Sequence, residues 1–465
     1  MKRRIIIPGG GLAGIAAAVR VADAGEAPVL LESTKRLGGR ATSLRDPRTG
    51  RVIDNCQHVV MGCCTNILDL YERLGVLGEI EWHESFTWTA GGGVFDRMGA
   101  SRLPAPFHLG LALRRLSFLD GPDRRAIARA MWGMIRMGFH GRLRWRGRTF
   151  EDFLVDQRQP ASAVSRFWNT VIVSACNLPV QRVDAEAALQ VFQEGFLANR
   201  WSYAMGLALV PLERLYDPAV AVIENAGGSV HVGVSARAIA FDGRRATGVV
   251  TSEDMHPGAA VIAAVPPERL LKLTSDTMRR ADTRLQRLSS FEYSPILGVH
   301  LVFDQSVMDM PHLTLVDHGV QWVFNKGTDA DGRQHLHAVI SAADEWMDLE
   351  EAVIVDRVVG DLHACLPRSV GLRPIEARAI KEKRATIAAS PGSLTLRPSV
   401  EPGTVGLGGG IANLFIAGDW CDTGWPPTME GAVRSGYRAA EAAVGGPGPV
   451  ADIPPGLVAR ALGMR

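Results

Sequence analysis

The spacing of apolar residues divides the chain into short segments with alternating strand and helix periods. Residues 4–7 form an apolar run of β-branched side chains, which is typical of a buried strand. Residues 12–24 are rich in Ala, Leu and Val and predict a helix that ends at Gly25. Residues 29–31 predict a second buried strand, closed by Glu32. The chain therefore opens with a predicted strand–helix–strand unit.

Helix and strand signals continue along the rest of the chain. Helical periodicity is found at 62–75, 109–138, 161–175, 183–198 and 427–443. Within 228–252, two β-rich runs flank the turn-forming pair Asp242-Gly243, which predicts a hairpin. Further buried strands are predicted at 259–265, 296–303, 335–341 and 414–417. Strands interleaved with helices in this way predict an α/β protein.

Composition and charge narrow the class of protein. A chain of 465 residues is long enough for about two or three domains. The formal net charge of +2 and the pI near 8.3 are too mild to indicate nucleic acid as a partner. The six cysteines include no C-x-x-C pair and no histidines stand beside them at zinc-ligand spacing, so we expect reduced thiols and no metal site. Neither a signal-peptide pattern nor an apolar run of transmembrane length is evident, so we expect a cytoplasmic protein or one that lies on a membrane without spanning it.

A glycine-rich motif joins the first predicted strand to the first predicted helix. It has the form G-x-G-x-x-G and reads Gly9-Gly10-Gly11-Leu12-Ala13-Gly14. Glycines let the backbone approach a pyrophosphate closely, and the helix N-terminus offers it free N–H groups. Glu32 lies 18 residues after Gly14, followed by Ser33, where a carboxylate can accept hydrogen bonds from ribose hydroxyls. The unit predicts a dinucleotide site, and it fits both NAD and FAD.

Two further segments favour a flavin dinucleotide. The first is the run Arg36-Leu37-Gly38-Gly39-Arg40, in which paired glycines allow close approach and arginine supplies charge to a phosphate. A plain surface turn is its alternative interpretation. The second comprises Gly418-Asp419-Trp420 after the last buried strand and Glu430-Gly431-Ala432 on the following helix. Asp419 can hold ribityl or ribose hydroxyls, although a helix cap or turn is an alternative role for it.

The two ends of the chain together resemble the superfamily of FAD-dependent amine oxidases and carotenoid desaturases. Within it, the sequence is similar to the squalene-associated desaturases, the hydroxysqualene dehydroxylases of bacterial hopanoid synthesis. Four segments carry the closer resemblance, namely 54–63, 168–179 (WNTVIVSACNLP), 194–212 (EGFLANRWSYAMGLALVPL) and 418–436. The family usually has Gly where this chain has Cys56, whose side chain would narrow the space beside the flavin.

The resemblance implies a Rossmann-like FAD-binding domain of discontinuous segments combined with a mixed α+β substrate domain. The FAD-binding domain would comprise 1–80, 210–268 and 390–445, the substrate and membrane-facing domain 81–209 and 269–389, and the C-terminal tail 446–465. The family also implies that the backbone near Ala236 meets the adenine. Candidates for lining the cavity at the flavin are Gln57, His58, Trp420 and Trp425, although plain packing is the more common role of such residues.

The reaction implied by the resemblance is reductive removal of a hydroxyl from a C30 isoprenoid. FAD would be the cofactor, and it would be recharged by an electron donor that the sequence does not identify. The main alternative is desaturation of a carotenoid precursor, or oxidation of an amine, by the same fold. A third possibility is a flavin-free carrier of prenylated partners, and the intact FAD motifs argue against it.

An arginine-rich segment, residues 102–148, suggests contact with a membrane. It has eleven arginines, no lysine, and only Asp120 and Asp123 as acidic residues. A basic amphipathic helix can lie in an anionic membrane surface. The apolar face predicted for it comprises Ile127, Met131, Met134, Ile135 and Gly138. An ordinary surface helix packed on the core is the alternative, but an oily substrate favours a position on the inner face of the membrane, with Trp132 near the headgroups.

Overall fold

The predicted strand–helix–strand unit forms the centre of a parallel sheet in the computed structural model, which describes residues 2–403 and 409–465. The sheet has five strands in the order Ser229–Val232, Ala27–Glu32, Arg4–Pro8, Ala260–Ala263 and Leu414–Ile416. Every neighbouring pair is parallel. Four of the strands are almost wholly buried, as expected for a parallel sheet covered on both faces, whereas the edge strand Ser229–Val232 is half-buried to exposed.

Two helices cover this sheet and lie unusually close to each other. Leu12–Asp23 follows the first strand and Met429–Val444 follows the last, as their periodicity predicts. A Cβ atom added at Gly436 would lie 2.2 Å from the carbonyl oxygen of Ala13, so the helices can approach only because this position is glycine. The approach joins the N-terminal and C-terminal ends of the chain in one core.

The predicted hairpin is confirmed, and it extends to a third strand. Ala236–Phe241 pairs with Ala246–Thr251, which pairs with Met255–Pro257, all antiparallel. Asp242 stabilises the turn by accepting hydrogen bonds from the backbone N–H groups of Arg244 at 2.8 Å and Arg245 at 2.7 Å. Ser229–Val232, just before the hairpin, instead belongs to the parallel sheet.

A second sheet has seven strands and contains none of the strands of the parallel sheet. Its strand order is Glu376–Ile387, Tyr293–Phe303, Gln334–Ser341, Trp322–Thr328, His312–Leu315, Ser85–Thr89 and Asp96–Gly99. The pairing is antiparallel except between His312–Leu315 and Ser85–Thr89. The helix Glu351–Cys365 packs on one face and shares a hydrophobic core with the strands. A parallel α/β layer and a mixed α+β layer confirm the predicted fold class.

A further group of helices lies between residues 107 and 197, around an aromatic core. They are Phe107–Leu109, Gly110–Leu113, Gly121–Gly141, Arg142–Trp145, Phe150–Asp156, Ala161–Ala163, Thr170–Cys176 and Ala185–Gln190, with π-helical turns at Val164–Asn169 and Val191–Leu197. The core contains Phe150, Trp168 and Phe192, whose rings meet edge to face or stacked.

The prediction of one helix over 109–138 is wrong at its first part. The long helix begins only at Gly121, because Asp120 caps it by accepting from the N–H of Asp123 at 2.7 Å, and Pro122 favours a helix start. The predicted membrane-facing side of this helix is also wrong. The side chains predicted to enter lipid are largely in the core: Ile127 and Met134 are 0% exposed and Ile135 is 4% exposed. They pack against the aromatic core, so they cannot contact lipid.

Smaller elements complete the described chain. Ser43–Arg45 pairs with Val52–Asp54, and Val59–Met61, Met205–Ala208 and Ile80–His83 form a three-stranded sheet. Short helices lie at Thr65–Arg73, Leu77–Glu79, Leu212–Leu215, Pro218–Asn225, Pro267–Leu273, Asp276–Ala281, Thr283–Leu285, Leu288–Ser290, Asp344–Trp346, Pro367–Ser369, Ser393–Leu396 and Leu457–Ala461. Among residues 2–403 and 409–465, no helix has the length and apolar character needed to cross a bilayer.

Candidate active site

One large cavity, of about 880 Å³, runs from the glycine motif to the aromatic helical core. Strand ends and loops of the parallel sheet line one part of it, and strands of the seven-stranded sheet and the π-helical turns line the other. The predicted site residues that line it are Gly9, Gly11, Leu12, Ala13, Glu32, Ser33, Gly38, Gly39, Arg40, Gln57, His58, Ala236, Gly418, Asp419, Trp420, Trp425, Glu430 and Ala432. Residues more than 400 positions apart in sequence are thereby brought together.

The three glycines of the first motif differ in what surrounds them. A Cβ atom at Gly11 would meet only Gly39 Cα, at 3.8 Å, so Gly11 leaves open space towards the cavity. At Gly14 a Cβ atom would lie 1.8 Å from the carbonyl oxygen of Gly9, which places Gly14 in the contact between helix and strand. Gly9 has a φ of +107° and would place a Cβ atom 2.2 Å from the oxygen of Ala264. One glycine therefore opens the cavity, while the other two let the backbone close up around it.

Three predicted residues do not line the cavity. Gly14 is in the packing contact just described, and Gly431 lies against Pro426, whose oxygen would be 2.7 Å from a Cβ atom. The Arg36 side chain is exposed at the surface, so the nearby charge on the cavity side comes from Arg40 instead. Gly38 and Gly39 line the cavity, and of the two arginines that flank this run, Arg40 lines it and Arg36 does not.

Glu32 is buried at the end of the second strand and closes the glycine loop. Its carboxylate accepts the backbone N–H of Gly10 at 2.7 Å and that of Thr34 at 2.7 Å, and the Ser33 hydroxyl donates to it at 3.1 Å. Since carboxylate oxygens have several acceptor positions, the same group can also hold a ribose hydroxyl. Ser235, Ala236 and Arg237 line the same end of the cavity.

Arg40 and Asp419 form an ion pair that joins the two sequence motifs across the cavity. The guanidinium Nη2 and the carboxylate Oδ1 are 2.5 Å apart, and Arg40 also donates to the carbonyl oxygen of Ala385 at 3.1 Å. Burial disfavours the Arg40 charge, but the Asp419 carboxylate outweighs this effect and raises the pKa of Arg40. Next to it, Gly418 allows the Trp420 ring to fold back, because a Cβ atom there would lie 2.2 Å from Trp420 Nε1.

Glu430 lines the cavity, but hydrogen bonds within the protein occupy its carboxylate. Oε1 accepts the Asn66 side-chain amide at 2.9 Å and Arg434 Nε at 2.6 Å, and Oε2 accepts the N–H of Ile67 at 2.9 Å. The carboxylate thus caps the helix Thr65–Arg73 and ties it to the C-terminal helix. The start of the C-terminal helix itself, with Thr428 as its cap, faces the cavity.

Gln57 and His58 lie in the same wall of the cavity, next to Cys56. Lys326 donates to Gln57 Oε1 at 3.2 Å, and His58 Nδ1 lies 3.0 Å from the carbonyl oxygen of Cys56. Burial lowers the pKa of His58 and raises the pKa of the Cys56 thiol to about 12. A neutral imidazole and an un-ionised thiol therefore face this part of the cavity at neutral pH.

The far part of the cavity is apolar and was not predicted residue by residue. Its lining includes Phe86, Trp88, Met98, Val171, Phe196, Met205, Ile296, Trp322 and Phe324. Phe324 and Trp322 are stacked with ring centroids 5.6 Å apart, and Trp322 donates to the Ser174 hydroxyl at 2.7 Å. The segments 168–179 and 194–212 were singled out as family-like, but sequence alone gave no reason to place their side chains here. Gln190 and Glu194 are polar exceptions on the π-helical side.

The cradle between Gly11 and Gly39 is suited to the phosphates of a dinucleotide. The helix Leu12–Asp23 begins without a capping side chain and has no acidic residue in its first turn. Its first N–H groups can therefore meet an anion, and any side chain at Gly11 would fill the space that the anion needs. A carboxylate at one end and a large apolar chamber at the other complete a site for a nucleotide with a bulky redox group.

Parallel sheet, glycine cradle and apolar chamber together define an oxidoreductase fold that binds a flavin dinucleotide. The chain belongs to the family of flavin containing amine oxidoreductases, whose model matches residues 12–444. FAD is the cofactor of this enzyme class, and the cradle described above fits it. The protein is therefore an FAD-dependent oxidoreductase of the amine oxidase and carotenoid desaturase type.

Similar curated proteins include two kinds of isoprenoid enzyme. A hydroxysqualene dehydroxylase from Sinorhizobium fredii is 29% identical over 96% of this chain and 99% of its own length. A second one, from Rhodopseudomonas palustris, is 28% identical over 95% and 98%. A 15-cis-phytoene desaturase from Oncidium is 25% identical over 95% of this chain and 77% of its own length.

Solved structures show the same fold at lower identity. A putrescine oxidase variant superposes with a TM-score of 0.71 at 16% identity, covering 96% of this chain and 99% of that chain. Cyclohexylamine oxidase from Brevibacterium oxydans gives a TM-score of 0.68 at 16% identity, covering 96% and 99%.

Proposed function

We propose that the protein reductively dehydroxylates hydroxysqualene to squalene. The observation that carries this proposal is the long apolar chamber that opens directly into the flavin cradle. The polar groups of a polar substrate would find no hydrogen-bond partners on this apolar lining, whereas a C30 isoprenoid would bury its hydrocarbon chain against it. The similarity to hydroxysqualene dehydroxylases along nearly the whole chain supports the same substrate.

The proposed roles of the chain's residues follow from their positions. The N–H groups at Leu12 and Ala13 would bind the pyrophosphate, and Glu32 the adenosine ribose. Asp419, held by Arg40, would hold ribityl hydroxyls. Reduced FAD, when bound, supplies a hydride, which carries both electrons of the reduction. The aromatic side chains of the chamber would exclude water from the carbon that loses its hydroxyl.

Desaturation of a carotenoid precursor is the second candidate. The phytoene desaturase relatives favour it, because they too cover 95% of this chain. The two reactions differ in the redox state that they need: dehydroxylation consumes reduced flavin, and desaturation consumes oxidised flavin. Amine oxidation is supported by fold alone.

The experiment that tests the proposal compares these reactions on one preparation. Holoenzyme reduced under anaerobic conditions is mixed with hydroxysqualene, and oxidised holoenzyme is mixed with phytoene plus a quinone acceptor or with an amine plus oxygen. We expect flavin reoxidation and squalene formation in the first mixture only. Conjugated products from phytoene without squalene from hydroxysqualene would contradict the proposal in favour of a desaturase.

We also propose that the protein takes this substrate from a membrane through the surface of residues 102–148. The exposed stripe of the helix Gly121–Gly141, defined by Arg125, Arg129, Trp132 and Arg136, supports this proposal in place of the buried apolar face. Trp132 is 38% exposed and stacks on Phe107, which is 42% exposed. Cationic and aromatic side chains on one surface are the combination that binds anionic bilayers at the headgroup level.

A further inference from the structure

One acidic side chain stands at the boundary between the flavin end and the apolar chamber of the cavity. Glu194 lies in the π-helical turn Val191–Leu197 and lines the cavity with Gln190 and Gly195. Such turns widen a helix locally and are common at functional sites. Gln190 donates to the carbonyl oxygen of Gly424, next to Trp425 in the flavin-facing loop, at 3.1 Å. Glu194 thus lies between the chamber and the loop that precedes the C-terminal helix.

On the basis of the proposed function, we propose that Glu194 gives the proton to the hydroxyl that leaves the substrate. An allylic hydroxyl does not leave readily as hydroxide, so an acid within hydrogen-bond reach must protonate it. The chamber otherwise consists mainly of hydrocarbon and aromatic side chains, which have no proton to give.

Burial makes the Glu194 carboxyl harder to ionise than an exposed glutamate. The side chain is 15% exposed, and burial raises the pKa of its carboxyl; the positive charge of Arg142 opposes that rise without cancelling it. Arg142 Nη1 lies 2.6 Å from Glu194 Oε1, so the two side chains form an ion pair. Arg142 can stabilise the carboxylate that remains once the proton has left. The other titratable and charged groups around Glu194 are Asp452 in the tail, Cys63 with its neighbour Cys64, and Glu430 with Arg434.

Glu194 is itself paired with Arg142, and most other acidic side chains of the cavity hold parts of the cofactor cradle or of the protein frame. Glu32 holds the glycine loop, Asp419 pairs with Arg40, and Glu430 caps a helix, as described above. Glu268 accepts the Tyr293 hydroxyl at 2.5 Å and Arg384 at 3.1 Å. Of the described cavity-lining acids, Glu382 on strand Glu376–Ile387 is the one left as an alternative to Glu194.

In the proposed step, the C–O bond of the substrate breaks and its oxygen leaves as water, carrying its own hydrogen and the proton from Glu194. A C–H bond forms with the hydride from the reduced cofactor, so carbon is reduced by two electrons and the cofactor is oxidised by two. Glu194 is left as a carboxylate beside Arg142 and regains its proton from solvent through its exposed edge.

The test is a single turnover of dithionite-reduced holoenzyme with hydroxysqualene, followed by flavin absorbance and squalene yield. Glu194→Gln should slow the step by about 100-fold to 10,000-fold, the usual contribution of a general acid. Its rate should also lose the decline that the wild type shows with rising pH. Arg142→Gln should move that decline to higher pH, because the carboxyl loses a positive neighbour. The acetate ester of the same alcohol needs less help to leave and should restore Glu194→Gln to within about tenfold of the wild type.

Two measurements distinguish loss of the acid from loss of folding and from a wrong substrate. The protonated-carboxyl infrared band of substrate-free holoenzyme should titrate in the wild type and lose the contribution of one carboxyl in Glu194→Gln, while FAD content and melting temperature stay unchanged and the exposed control Glu253→Gln keeps the wild-type rate. A wild type that makes no squalene removes the proposed function, and the inference with it. If the wild type makes squalene and Glu194→Gln does so at the same rate, the role of Glu194 is overturned and the proposed function stands. The same conclusion follows if Glu382→Gln is slow and Glu194→Gln is not.

Discussion

At the scale of single residues, the glycine motif contains one glycine that serves cofactor binding, Gly11, and another that serves backbone packing, Gly14. Gly11 adopts φ −76° and ψ 179°, which any residue can adopt, and its missing side chain faces the cavity. Gly11→Val should therefore fold and lack bound FAD, with affinity lowered by at least about tenfold, or about 1.4 kcal/mol. The measurement is flavin absorbance per protein after purification, together with circular dichroism.

Gly14→Ala is the matched control for this prediction. Its Cβ atom would lie 1.8 Å from a backbone oxygen, so it should lower the yield of folded protein rather than FAD content alone. A Gly11→Val protein that purifies with full FAD content would contradict the assignment of the cradle.

The residues that sequence could assign are those whose role depends on local chain geometry. Gly11 and Glu32 follow directly from the strand–helix–strand unit. The pairing of Arg40 with Asp419 could not be predicted, because 379 positions separate them and the pairing depends on how distant segments fold together. Arg36 was assigned to the cofactor on the same local evidence as Arg40, yet it points to solvent. Backbone motifs specify where a loop turns, but side-chain direction depends on what packs behind it.

At the scale of elements, apolar periodicity predicted several helices and buried strands, but it missed the helix Glu351–Cys365 and the buried strand His312–Leu315 and did not give the role of each face. The helix Gly121–Gly141 has an apolar face, and the sequence left open whether that face meets protein or lipid. The structure assigns it to the core. Strand Glu376–Ile387 escaped prediction because charged residues recur along it, including the run at 381–384, and most of its positions are only half-buried. Its partner Tyr293–Phe303 is largely buried and was predicted, though at shorter length.

The exposed stripe of the helix Gly121–Gly141 gives a prediction at this scale. Arg125, Arg129 and Arg136 flank Trp132 at helical spacing, so all four point to the same side. Changing the three arginines to Glu should abolish binding to anionic vesicles, since each near-surface charge contributes about 1 kcal/mol at most and all three would be reversed. Co-sedimentation with anionic and neutral liposomes measures it, and added salt should weaken wild-type binding.

A triple variant with the same charge change elsewhere serves as its control. Arg244, Arg280 and Arg287 are exposed and lie outside 102–148. Their change to Glu should leave sedimentation on anionic vesicles intact. Equal loss in both triple variants would mean that total charge, rather than this helix face, determines binding.

At the scale of the whole molecule, the active site exists only where two sheets with different strand patterns meet. The loop around Cys56 lies between them: His300, on the seven-stranded sheet, has Nε2 2.9 Å from the carbonyl oxygen of Asp54. A Cβ atom at Gly298 would lie 3.1 Å from the oxygen of Asn55. These contacts join segments more than 240 positions apart. The family resemblance implied both parts of the fold, and the cavity between the two sheets follows from their packing, which periodicity does not encode.

The same junction contains buried histidines that should make the fold sensitive to acid. His300 stacks on His337 with ring centroids 3.8 Å apart, and its Nδ1 lies 2.9 Å from His335 Nε2. Burial lowers the pKa of His300 to about 4 and that of His335 to about 3, and it lowers the pKa of His337 as well. All three are therefore neutral in the folded protein at pH 7.

The sign of the pH dependence follows from these shifts. In the unfolded chain histidine binds a proton near pH 6.5, whereas in the folded protein these three resist protonation until a lower pH. Their full contribution to stability is present above about pH 6.5 and is lost as the pH falls towards about 4. Each such histidine lowers the free energy of unfolding by at most about 1.4 kcal/mol per pH unit in that window.

Removing one histidine from this cluster should make the holoenzyme less sensitive to acid. His337 is 0% exposed, and neither ring nitrogen has a hydrogen-bond partner among the described residues, so His337→Leu loses no hydrogen bond. Urea unfolding at several pH values should show a shallower loss of stability below about pH 6.5 in this variant than in the wild type, by up to about 1.4 kcal/mol per pH unit. The exposed His140, changed to Leu, is the control and should keep the wild-type slope. Identical slopes for His337→Leu and the wild type would show that carboxylates elsewhere, rather than these imidazoles, govern the loss of stability in acid.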